Sequence, residues 1–426
     1  MRALLARLTG ASDGELAASL WSFAYFYALL AGYYVMRPIR DEMAMQVGQA
    51  QLHELFTGVF VAMLVVAPAF GWLTRTFPRR RLLPWLYAFF AANLFAFHAA
   101  FDPGGTQAGL VARVFFVWVS VFNLFAISVF WSFMADLYDT AQAKRLYGFI
   151  AAGGTAGALT GPALTALFVT LVGAKGMLLV SAAFLGVAIV AILRLRAWAD
   201  RSGAVGTAAE APIGGSIWAG LTDVVRTPYL LGICAFLFAY SLLSTFLYFQ
   251  QTELVPAAIP DSAERTRLLA LVDMAVNLLT LAVQVFAFGA LIRRLGTTFM
   301  LVAMPAVSIL GFAALALAPG LVALVAFGIL RRAGEYAVSK PARETLFNVL
   351  PVEQKYKAKN VIDTLVHRFG DVSSSWIFAG LKAAGLSLVA MSWLAVPIAG
   401  AWLAVALWLG GQQKSRVRLD FSGTEK

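Results

Sequence analysis

The amino-acid sequence predicts an all-α membrane protein whose twelve transmembrane helices form two sets of six. Of its 426 residues, 61% are hydrophobic and only 13% are charged, whereas soluble domains are about half apolar and about a quarter charged. Twelve stretches approach the roughly 20 apolar residues that cross a bilayer. The longest polar stretch between them separates the first six from the last six. This composition excludes a soluble enzyme, a disordered chain and a nucleic-acid-binding domain.

The predicted helices follow one another in order along the chain. In the first half they cover 16–36, 55–73, 82–101, 109–134, 147–171 and 176–195. In the second half they cover 229–250, 267–291, 298–317, 320–339, 360–381 and 386–409. We therefore expect an N-terminal six-helix half, a cytoplasmic central loop, a C-terminal six-helix half and a cytoplasmic tail, at 1–195, 196–226, 227–410 and 411–426.

The basic residues predict the orientation of these helices. With the N-terminus in the cytoplasm, 23 of the 33 Lys and Arg residues fall in cytoplasmic segments and 6 on the opposite side. That asymmetry is typical of membrane proteins, whose cytoplasmic loops carry the positive charge. The net charge of +11 therefore reflects basic loops rather than a nucleic-acid partner. Arg outnumbers Lys, which favours a GC-rich bacterium, so we expect a multi-pass protein of the bacterial inner membrane with both termini cytoplasmic.

Cysteine and histidine are too sparse for a disulfide framework or a metal centre. Cys234 is the single cysteine, and the three histidines lie far apart in the sequence. No nucleotide-hydrolysing or nucleophile–base motif occurs where it would be usable. We therefore expect no cofactor, no metal and no catalytic residue, and any transport would be driven by a gradient or by exchange.

Ionisable residues inside the predicted spans are the first candidates for a binding site. Such residues are costly in a bilayer and usually face a cavity or a partner. Arg37 and Arg40 share a helix face at the end of span 1, where they could bind an anion or lie at the lipid interface. Arg113 and Asp136 lie at the two ends of span 4, and Asp273 lies in span 8, where it could bind a proton or cation or order a helix contact.

Spans 10 and 11 carry a second set of charges near their cytoplasmic ends. Arg331 and Glu335 share a face of span 10, and span 11 carries Asp363, His367 and Asp371 at four-residue steps. The pattern favours a salt-bridge network that acts as a gate, or neutralisation of a charged substrate, or both. The gating or charge-network candidates are Lys144, Arg145, Arg331, Glu344, Asp363, His367 and Asp371.

A repeated basic loop points to a family. Residues 71–81, after span 2, and 289–296, after span 8, both resemble the Gly-x-Leu…basic loop of the major facilitator superfamily, although the central Asp of that motif is missing in both. A chain of six plus six helices with this loop in matching places favours that superfamily, in which two halves enclose a midplane cavity.

Three longer stretches resemble the non-mitochondrial ATP/ADP translocases, a nucleotide-transporting branch of the superfamily. Tyr34-Val-Met-Arg37-Pro-Ile-Arg40-Asp41 is similar to the family's Leu-Arg-Asp-x-Lys-Asp. Phe130-Trp131-Ser-Phe133-Met-Ala-Asp136 with Ala143-Lys144-Arg145-Leu-Tyr147 is similar to Trp-Gly-Phe-x-Asn-(Glu/Gln)…Ala-Lys-Arg-Phe-Tyr. Glu335-Tyr336-Ala-Val-Ser-Lys340-Pro341-Ala-Arg343-Glu344, followed by basic residues and Asp363, is similar to Lys-Tyr-Ser-x-x-Asp-Pro-x-Lys-Glu…Lys-x-Lys-x-Lys…Asp.

The resemblance also shows departures that bear on the substrate. The family's Glu and Lys in span 7 fall on Tyr248 and Thr252, so both charges are absent here. The family's Lys before Tyr336 is Glu335, and its Asp before Pro341 is Lys340. The branch is therefore better indicated than the substrate.

The sequence thus predicts a transporter that moves a nucleotide or another phosphorylated or anionic metabolite by alternating access, by exchange. One alternative is a proton-coupled transporter with Asp273 or Asp371 as the proton site, and another is a non-transporting membrane sensor or assembly protein. We expect a monomer whose partners are the lipid bilayer and its substrate. The substrate-binding candidates are Arg37, Arg40, Asp41, Arg113, Asp136, Asp273, Glu335 and Arg343.

Overall fold

The computed structural model describes residues 12, 14–76, 79–102, 105–202 and 224–423, and these ranges contain helices and short connections with no β-strand. Most of the predicted central loop, at 203–223, and the end of the predicted tail, at 424–426, lie outside the described residues. The helices of the first part are α1 Leu16–Val47, α2 Leu52–Thr76, α3 Arg79–Ala100, α4 Ala108–Leu137 and α5 Thr140–Ser202. Those of the second part are α6 Pro228–Ala258, α7 Ser262–Ala282, α8 Phe288–Leu317, α9 Leu321–Gly334, α10 Lys340–Leu346, α11 Val352–Val361, α12 His367–Ala383 and α13 Leu388–Gly423.

Two of these helices each contain a break. At Gly173 in α5 the backbone has φ 69° and ψ 169°, and at Gly296 in α8 it has φ 74° and ψ 170°. Glycine adopts positive φ without steric cost, so each of these residues ends one helix and allows the next to begin at once. With these breaks, each of the twelve predicted spans corresponds to helix, which confirms the predicted all-α fold.

Three π-helical segments join successive helices in the second part of the chain. Val283–Ala287 joins α7 to α8, Glu335–Ser339 joins α9 to α10, and Ile362–Val366 joins α11 to α12. A π-helical turn takes one extra residue and is frequent at functional sites. Two of the three segments contain predicted site residues, Glu335 and Asp363.

Hydropathy separates the helices into two groups. Eight helical stretches in the described part of the chain are long and apolar enough to cross a bilayer, two of them double-length because they run through the glycine breaks. The stretches from α9 to α10 and from α11 to α12 are not among them, and they are the ones that carry the predicted charge network. Ionisable residues in such helices mark pathways and gates rather than lipid-facing surface.

The chain divides into two compact units. The first comprises Met1–Val47, Val61–Ile213 and Ile259–Met274, and the second comprises Gly48–Phe60, Gly214–Ala258 and Ala275–Lys426, as far as these ranges are described. Each unit thus includes a short piece from the other half of the sequence. The segment 259–274 at the start of α7 brings Arg265 and Asp273 to the first unit. The predicted domain boundaries stay a prediction.

An aromatic core holds the first unit together. The ring of Phe26 stacks on Phe130 with centroids 4.1 Å apart, and Tyr25 meets Phe130 edge-on at 4.9 Å. The Tyr25 hydroxyl donates to the Tyr87 hydroxyl at 2.8 Å, so this fully buried phenol of α1 is satisfied by α3. Edge-to-face and offset-stacked rings stabilise such cores beyond the area they bury.

Helices α1 and α5 approach closely along a row of small residues. A Cβ added to Gly153, Gly157 or Gly161 would lie 2.5, 2.3 or 2.6 Å from the backbone oxygen of Phe23, Tyr27 or Ala31 in α1. Only glycine permits backbones to meet at that distance, as is typical of small-residue helix pairs in membranes. The three glycines at four-residue steps in α5 therefore serve the packing of α5 on α1.

The second unit packs around α6, which contacts α12 and α13, while α8 packs on α13. Phe236 of α6 faces Trp402 of α13 at 5.2 Å between ring centroids. Farther along α6, Phe246 and Phe249 pack on Phe378 of α12 at 5.2 and 4.7 Å. These contacts fix the register of α6, on which the serines described below are placed, against the charged helix α12.

Candidate functional site

In the first unit, Arg37 of α1 and Asp273 of α7 form a loose ion pair. Their Nε and Oδ2 atoms are 3.7 Å apart, and both side chains are largely buried. The guanidinium of Arg37 also lies 5.7 Å from the centre of the Tyr34 ring. The pair joins two of the predicted substrate-binding residues, which are 236 positions apart in the sequence. Its length exceeds the 2.7–2.9 Å that is usual for a charge-assisted hydrogen bond.

Arg40 and Asp41 form a much tighter contact one turn farther along α1. Arg40 donates from Nε at 3.0 Å and from Nη2 at 2.6 Å to Oδ1 of Asp41. Its guanidinium lies 5.1 Å from the centre of the Phe116 ring of α4. An arginine held on its neighbour's carboxylate and over an aromatic face is fixed in place. The two predicted residues are therefore paired with each other.

A second buried ion pair at this end of α1 escaped the sequence analysis. Glu42 accepts from Arg265 at 2.6 Å on Oε1 and at 2.8 Å on Oε2. Ser262 also donates to Glu42 at 2.9 Å. The exposed fraction of the Glu42 side chain is 1% and that of Arg265 is 12%. The sequence signal was that Glu42 directly follows Arg40 and Asp41 at the end of the predicted helix. Its partner, Arg265, is 223 residues away and could not be identified from the sequence.

Arg113 and Asp136, at opposite ends of α4, are both half-buried. Arg113 lies three residues before Phe116, whose ring is under Arg40. Asp136 acts electrostatically on the Tyr147 hydroxyl of α5. Their predicted roles in substrate binding stay predictions.

The basic pair at the start of α5 separates into an exposed Lys144 and a paired Arg145. Arg145 donates to the Glu15 carboxylate at 3.1 and 3.2 Å, and Gln142 donates to it at 2.9 Å. Burial by itself raises the pKa of Glu15, but hydrogen bonds from the Ser12 backbone, Arg145 and Gln142 outweigh it and lower that pKa to about 2. These contacts of Glu15 with Gln142 and Arg145, which we call the latch, join the start of α1 to the start of α5 within one unit. The predicted gating role of the pair stays a prediction.

In the second unit, four polar residues follow one helix face through α9, the π-helical segment and α10. They are Arg331, Glu335, Ser339 and Arg343, and all four are buried. The π-helical segment Glu335–Ser339 lies in the middle of this row. Its backbone carbonyl at Tyr336 accepts a hydrogen bond from the Gln284 side chain at 3.3 Å. We call Arg331, Glu335 and Ser339 the polar row.

Arg331 meets α6 rather than a carboxylate. Its Nη2 donates to the Ser244 hydroxyl, and its guanidinium lies 5.3 Å from the centre of the Tyr240 ring. Its Nε and Nη1 have no hydrogen-bond partner among the described residues. The sequence placed Arg331 in a salt-bridge network, whereas no ion pair of Arg331 occurs in the described part of the chain. The serine and tyrosine of α6 were not singled out because they are common in apolar helices.

Arg343 and Glu344, which are adjacent in α10, each have an opposite charge nearby. Arg343 lies 3.7 Å from the Asp363 carboxylate, a second loose pair in which the arginine is buried. Glu344 accepts from Lys359 at 2.5 Å, but both of these side chains are more than a third exposed. The structure therefore brings the predicted residues of spans 10 and 11 together through Arg343 and Asp363.

Asp371 of α12 is the centre of a third cluster in this unit. It accepts a short hydrogen bond from the Ser241 hydroxyl of α6. Arg368 lies 3.7 Å from its Oδ2, and His367 Nδ1 lies 4.0 Å from its Oδ1. Asp371, His367 and Arg368 were predicted as neighbours along one helix, and Ser241 is the partner that sequence reasoning missed.

The two span-7 positions that depart from the translocase pattern are occupied by neutral side chains. Thr252 is buried and donates to the backbone oxygen of Phe249 at 2.8 Å. Tyr248 meets Phe56 edge-on, with ring centroids 5.8 Å apart. Neither residue can replace the acid or the base found there in the translocases.

The described residues contain no group of three or more His, Cys, Asp or Glu side chains that could hold a metal ion. Most of the charged clusters described above instead contain an arginine. Arginine binds phosphate and carboxylate with two parallel hydrogen bonds, so such clusters suit organic anions.

Comparison with known proteins addresses the fold and the family. The family model described as Major Facilitator Superfamily matches residues 16–337. No curated protein matches the chain significantly. Among solved structures, the POT family transporter PepTSo has a TM-score of 0.64 at 16% identity and covers 94% of this chain and 98% of its own.

Two further solved structures are similar over nearly the whole chain. A bacterial homologue of the human lysosomal transporter Spinster, in an inward-facing and unoccupied conformation, has a TM-score of 0.64 at 13% identity, covering 95% of this chain and 99% of its own. The nucleoside transporter NupG has a TM-score of 0.61 at 13% identity, covering 95% and 100%. At these identities the likeness concerns the fold alone.

Proposed function

The chain belongs to the major facilitator superfamily, and on that premise we propose that it moves a small organic anion, a nucleotide or another phosphorylated metabolite, by alternating access and exchange. Transporters of this superfamily bind their substrates near the bilayer midplane between two six-helix repeats. The structural relatives named above include a POT family transporter and a nucleoside transporter, so the fold by itself does not select the substrate.

The observation that carries this proposal is the loose pairing of one buried arginine. Arg343 in the second unit lies 3.7 Å from the carboxylate of Asp363. By contrast, the ion pairs of Arg40 and Arg265 have contacts of 2.6 Å. A phosphate that accepts two short hydrogen bonds can replace a loosely held carboxylate, whereas it competes poorly with a tight one. Arg343 is therefore suited to an incoming anion.

We propose exchange rather than pumping driven by ATP hydrolysis. The sequence has no nucleotide-hydrolysing motif. We expect the substrate-free protein to reorient slowly and the loaded protein to reorient quickly, which is the behaviour of an exchanger.

Uptake into proteoliposomes tests this function. Labelled ATP, ADP and a panel of phosphorylated metabolites are supplied outside, with and without unlabelled substrate inside. We expect saturable uptake that requires internal substrate and is strongly reduced in Arg37→Ala and Arg343→Ala. Arg267→Ala is the matched control, because Arg267 is about half-exposed and pairs with Glu264 on the surface of its own helix. No uptake of any phosphorylated compound by folded protein would contradict the proposal.

A proton-coupled mechanism is the second candidate, and the Asp371 cluster favours it. A carboxylate that accepts from a serine and has a histidine and an arginine within 4.0 Å is a reasonable place to bind a proton. In that case an imposed pH gradient drives uptake without internal substrate. Asp371→Asn removes that stimulation.

A further inference from the structure

The polar row in the second unit indicates which part of the substrate binds there. This inference rests on the proposed function. Arg331 and Glu335 have opposite charges and lie four positions apart, close enough to interact electrostatically. Side chains at this spacing are neighbours on a helix and usually pair when their charges are opposite. These two do not form an ion pair in the described chain, although both are about 95% buried.

The polar row contains both donor and acceptor atoms that have no hydrogen-bond partner in the described chain, and we call these the open atoms. Nε and Nη1 of Arg331 are donors without a hydrogen-bond partner, and Oε2 of Glu335 is an acceptor without one. The hydroxyl of Ser339, which is fully buried, also has no partner. Buried polar groups in native proteins are nearly always satisfied, so several unsatisfied atoms at four-residue steps along one helix favour a ligand that supplies their partners.

The chemistry of the open atoms defines what that molecule must offer. It needs acceptor atoms for the guanidinium and, beside them, an N–H or O–H donor for the carboxylate. A simple phosphate or carboxylate fits Arg331 but places negative charge against Glu335 and leaves that acceptor unsatisfied. A neutral heteroaromatic edge with a ring nitrogen next to an exocyclic amino group offers both, as adenine does with N7 and N6–H₂.

We propose that Arg331, Glu335 and Ser339 bind the amino edge of a nucleobase, with Arg331 donating to ring nitrogen and Glu335 accepting from the exocyclic amine. Tyr240 and Ser244 of α6 hold the guanidinium in position from the other side. The π-helical turn at Glu335–Ser339 inserts an extra residue between α9 and α10. The extra residue changes the direction in which the side chains of the polar row point. The base-reading function of these residues is thus separate from the phosphate-binding function assigned to Arg343 in the same unit.

This proposal is tested with two nucleotides that differ only in the N–H donor of the exocyclic amine. Thermal unfolding of the purified full-length protein is followed against increasing ATP and N6,N6-dimethyl-ATP, which keeps the phosphates and ring nitrogens but has no N–H donor. We expect ATP to stabilise the protein at a concentration about tenfold or more below that of the dimethyl compound, because the latter leaves a buried carboxylate unsatisfied. In Glu335→Gln this difference shrinks, since a neutral amide is less costly to leave unpaired.

Glu264→Gln is the matched control, because Glu264 is exposed and lies outside the polar row; it keeps the wild-type preference. Equal stabilisation of the wild-type protein by both nucleotides overturns the base-reading site, and this result needs no variant to fold. It leaves the proposed function intact if exchange of either nucleotide is still measured in proteoliposomes. If neither nucleotide stabilises the protein but another phosphorylated metabolite is exchanged, the base-reading site is likewise overturned while anion transport stands.

Discussion

Glu42 and Arg265 form a two-pronged ion pair between the end of α1 and the start of α7, with contacts of 2.6 and 2.8 Å. Arg37 and Asp273 join the same two helices at 3.7 Å. One tight and one loose pair therefore lie between α1 and α7 in the first unit. The tight pair is suited to hold the two helices together.

Removing one partner of the tight pair is expected to destabilise the protein strongly. Glu42→Gln leaves the Arg265 charge partly buried without its carboxylate, which costs about 3–5 kcal/mol in comparable buried pairs. The thermal unfolding temperature of the purified protein measures the effect. The double variant Glu42→Gln/Arg265→Gln is expected to lose less than the sum of the single variants, since it removes both charges. Additive losses would show that the two residues are not coupled.

The contact between α1 and α5 predicts a steric effect at a single position. Gly157→Ala places a methyl group 2.3 Å from the Tyr27 backbone oxygen, so the helices must separate, at a cost of about 1–3 kcal/mol for an overpacked core. Gly186→Ala in the same helix is the matched control, because nothing lies within 4 Å of the added atom. The control is expected to be neutral or slightly stabilising, since alanine favours helix more than glycine does. Equal unfolding temperatures for the two variants would contradict the close approach.

The latch at Glu15 predicts a specific pH dependence. Its folded pKa of about 2 is below the ordinary value of 4.5, so the stabilisation is fully present above about pH 4.5 and is lost as the pH falls towards 2. The difference in unfolding temperature between the wild-type protein and Glu15→Gln is therefore expected to shrink across that interval. In Arg145→Gln, which lacks the guanidinium, the pKa of Glu15 is lowered less, so the loss is expected to be smaller and to be complete at a higher pH. A difference that stays constant from pH 7 to pH 3 would exclude the latch.

The pair of Glu344 and Lys359 is expected to contribute little despite its short contact. Both side chains are more than a third exposed, and ion pairs of this kind contribute about 0.2–1 kcal/mol. Lys359→Ala is therefore expected to change the unfolding temperature slightly, and less than Asp363→Asn, which removes the carboxylate next to buried Arg343. The reverse order would mean that the exposed pair is the structural one.

The exchange mechanism predicts how transport responds to an imposed proton gradient. Uptake of the labelled substrate is expected to follow the amount of unlabelled substrate inside the vesicles and to be little changed when the gradient is collapsed with an ionophore. Asp371→Asn is expected to leave this insensitivity to the gradient unchanged. Stimulation by external acid that disappears in Asp371→Asn would favour the proton-coupled alternative instead.

The fold could be predicted from composition and spacing because a bilayer permits few structures. A segment that crosses lipid must satisfy its backbone internally, so apolar stretches of the right length become helices whatever their detailed sequence. The same argument explains the weak point of the prediction. The stretches from α9 to α10 and from α11 to α12 carry several charges and are not among the eight helical stretches that are apolar enough to cross a bilayer.

The sequence indicated which residue types belong to the candidate site, but it predicted only some of the contacts between them. Arg37 and Asp273 were both singled out, but the sequence could not pair residues 236 positions apart, and Glu42 and Arg265 were not recognised as a pair for the same reason. Arg331 and Glu335 were predicted to share a helix face, and the described chain contains no ion pair between them. Local spacing predicts which side chains share a face, whereas Tyr240 and Ser244 on another helix decide where Arg331 is held.

The sequence alone determined that the chain is a twelve-helix membrane protein with basic loops and with arginines and carboxylates inside its helices. These properties follow from composition and periodicity, which act locally. The tertiary structure alone decided which charges are tightly paired, which are loosely paired and which are left open. Those differences depend on the distances between helices far apart in the sequence, and an arginine held at 2.6 Å from its carboxylate behaves differently from one held at 3.7 Å.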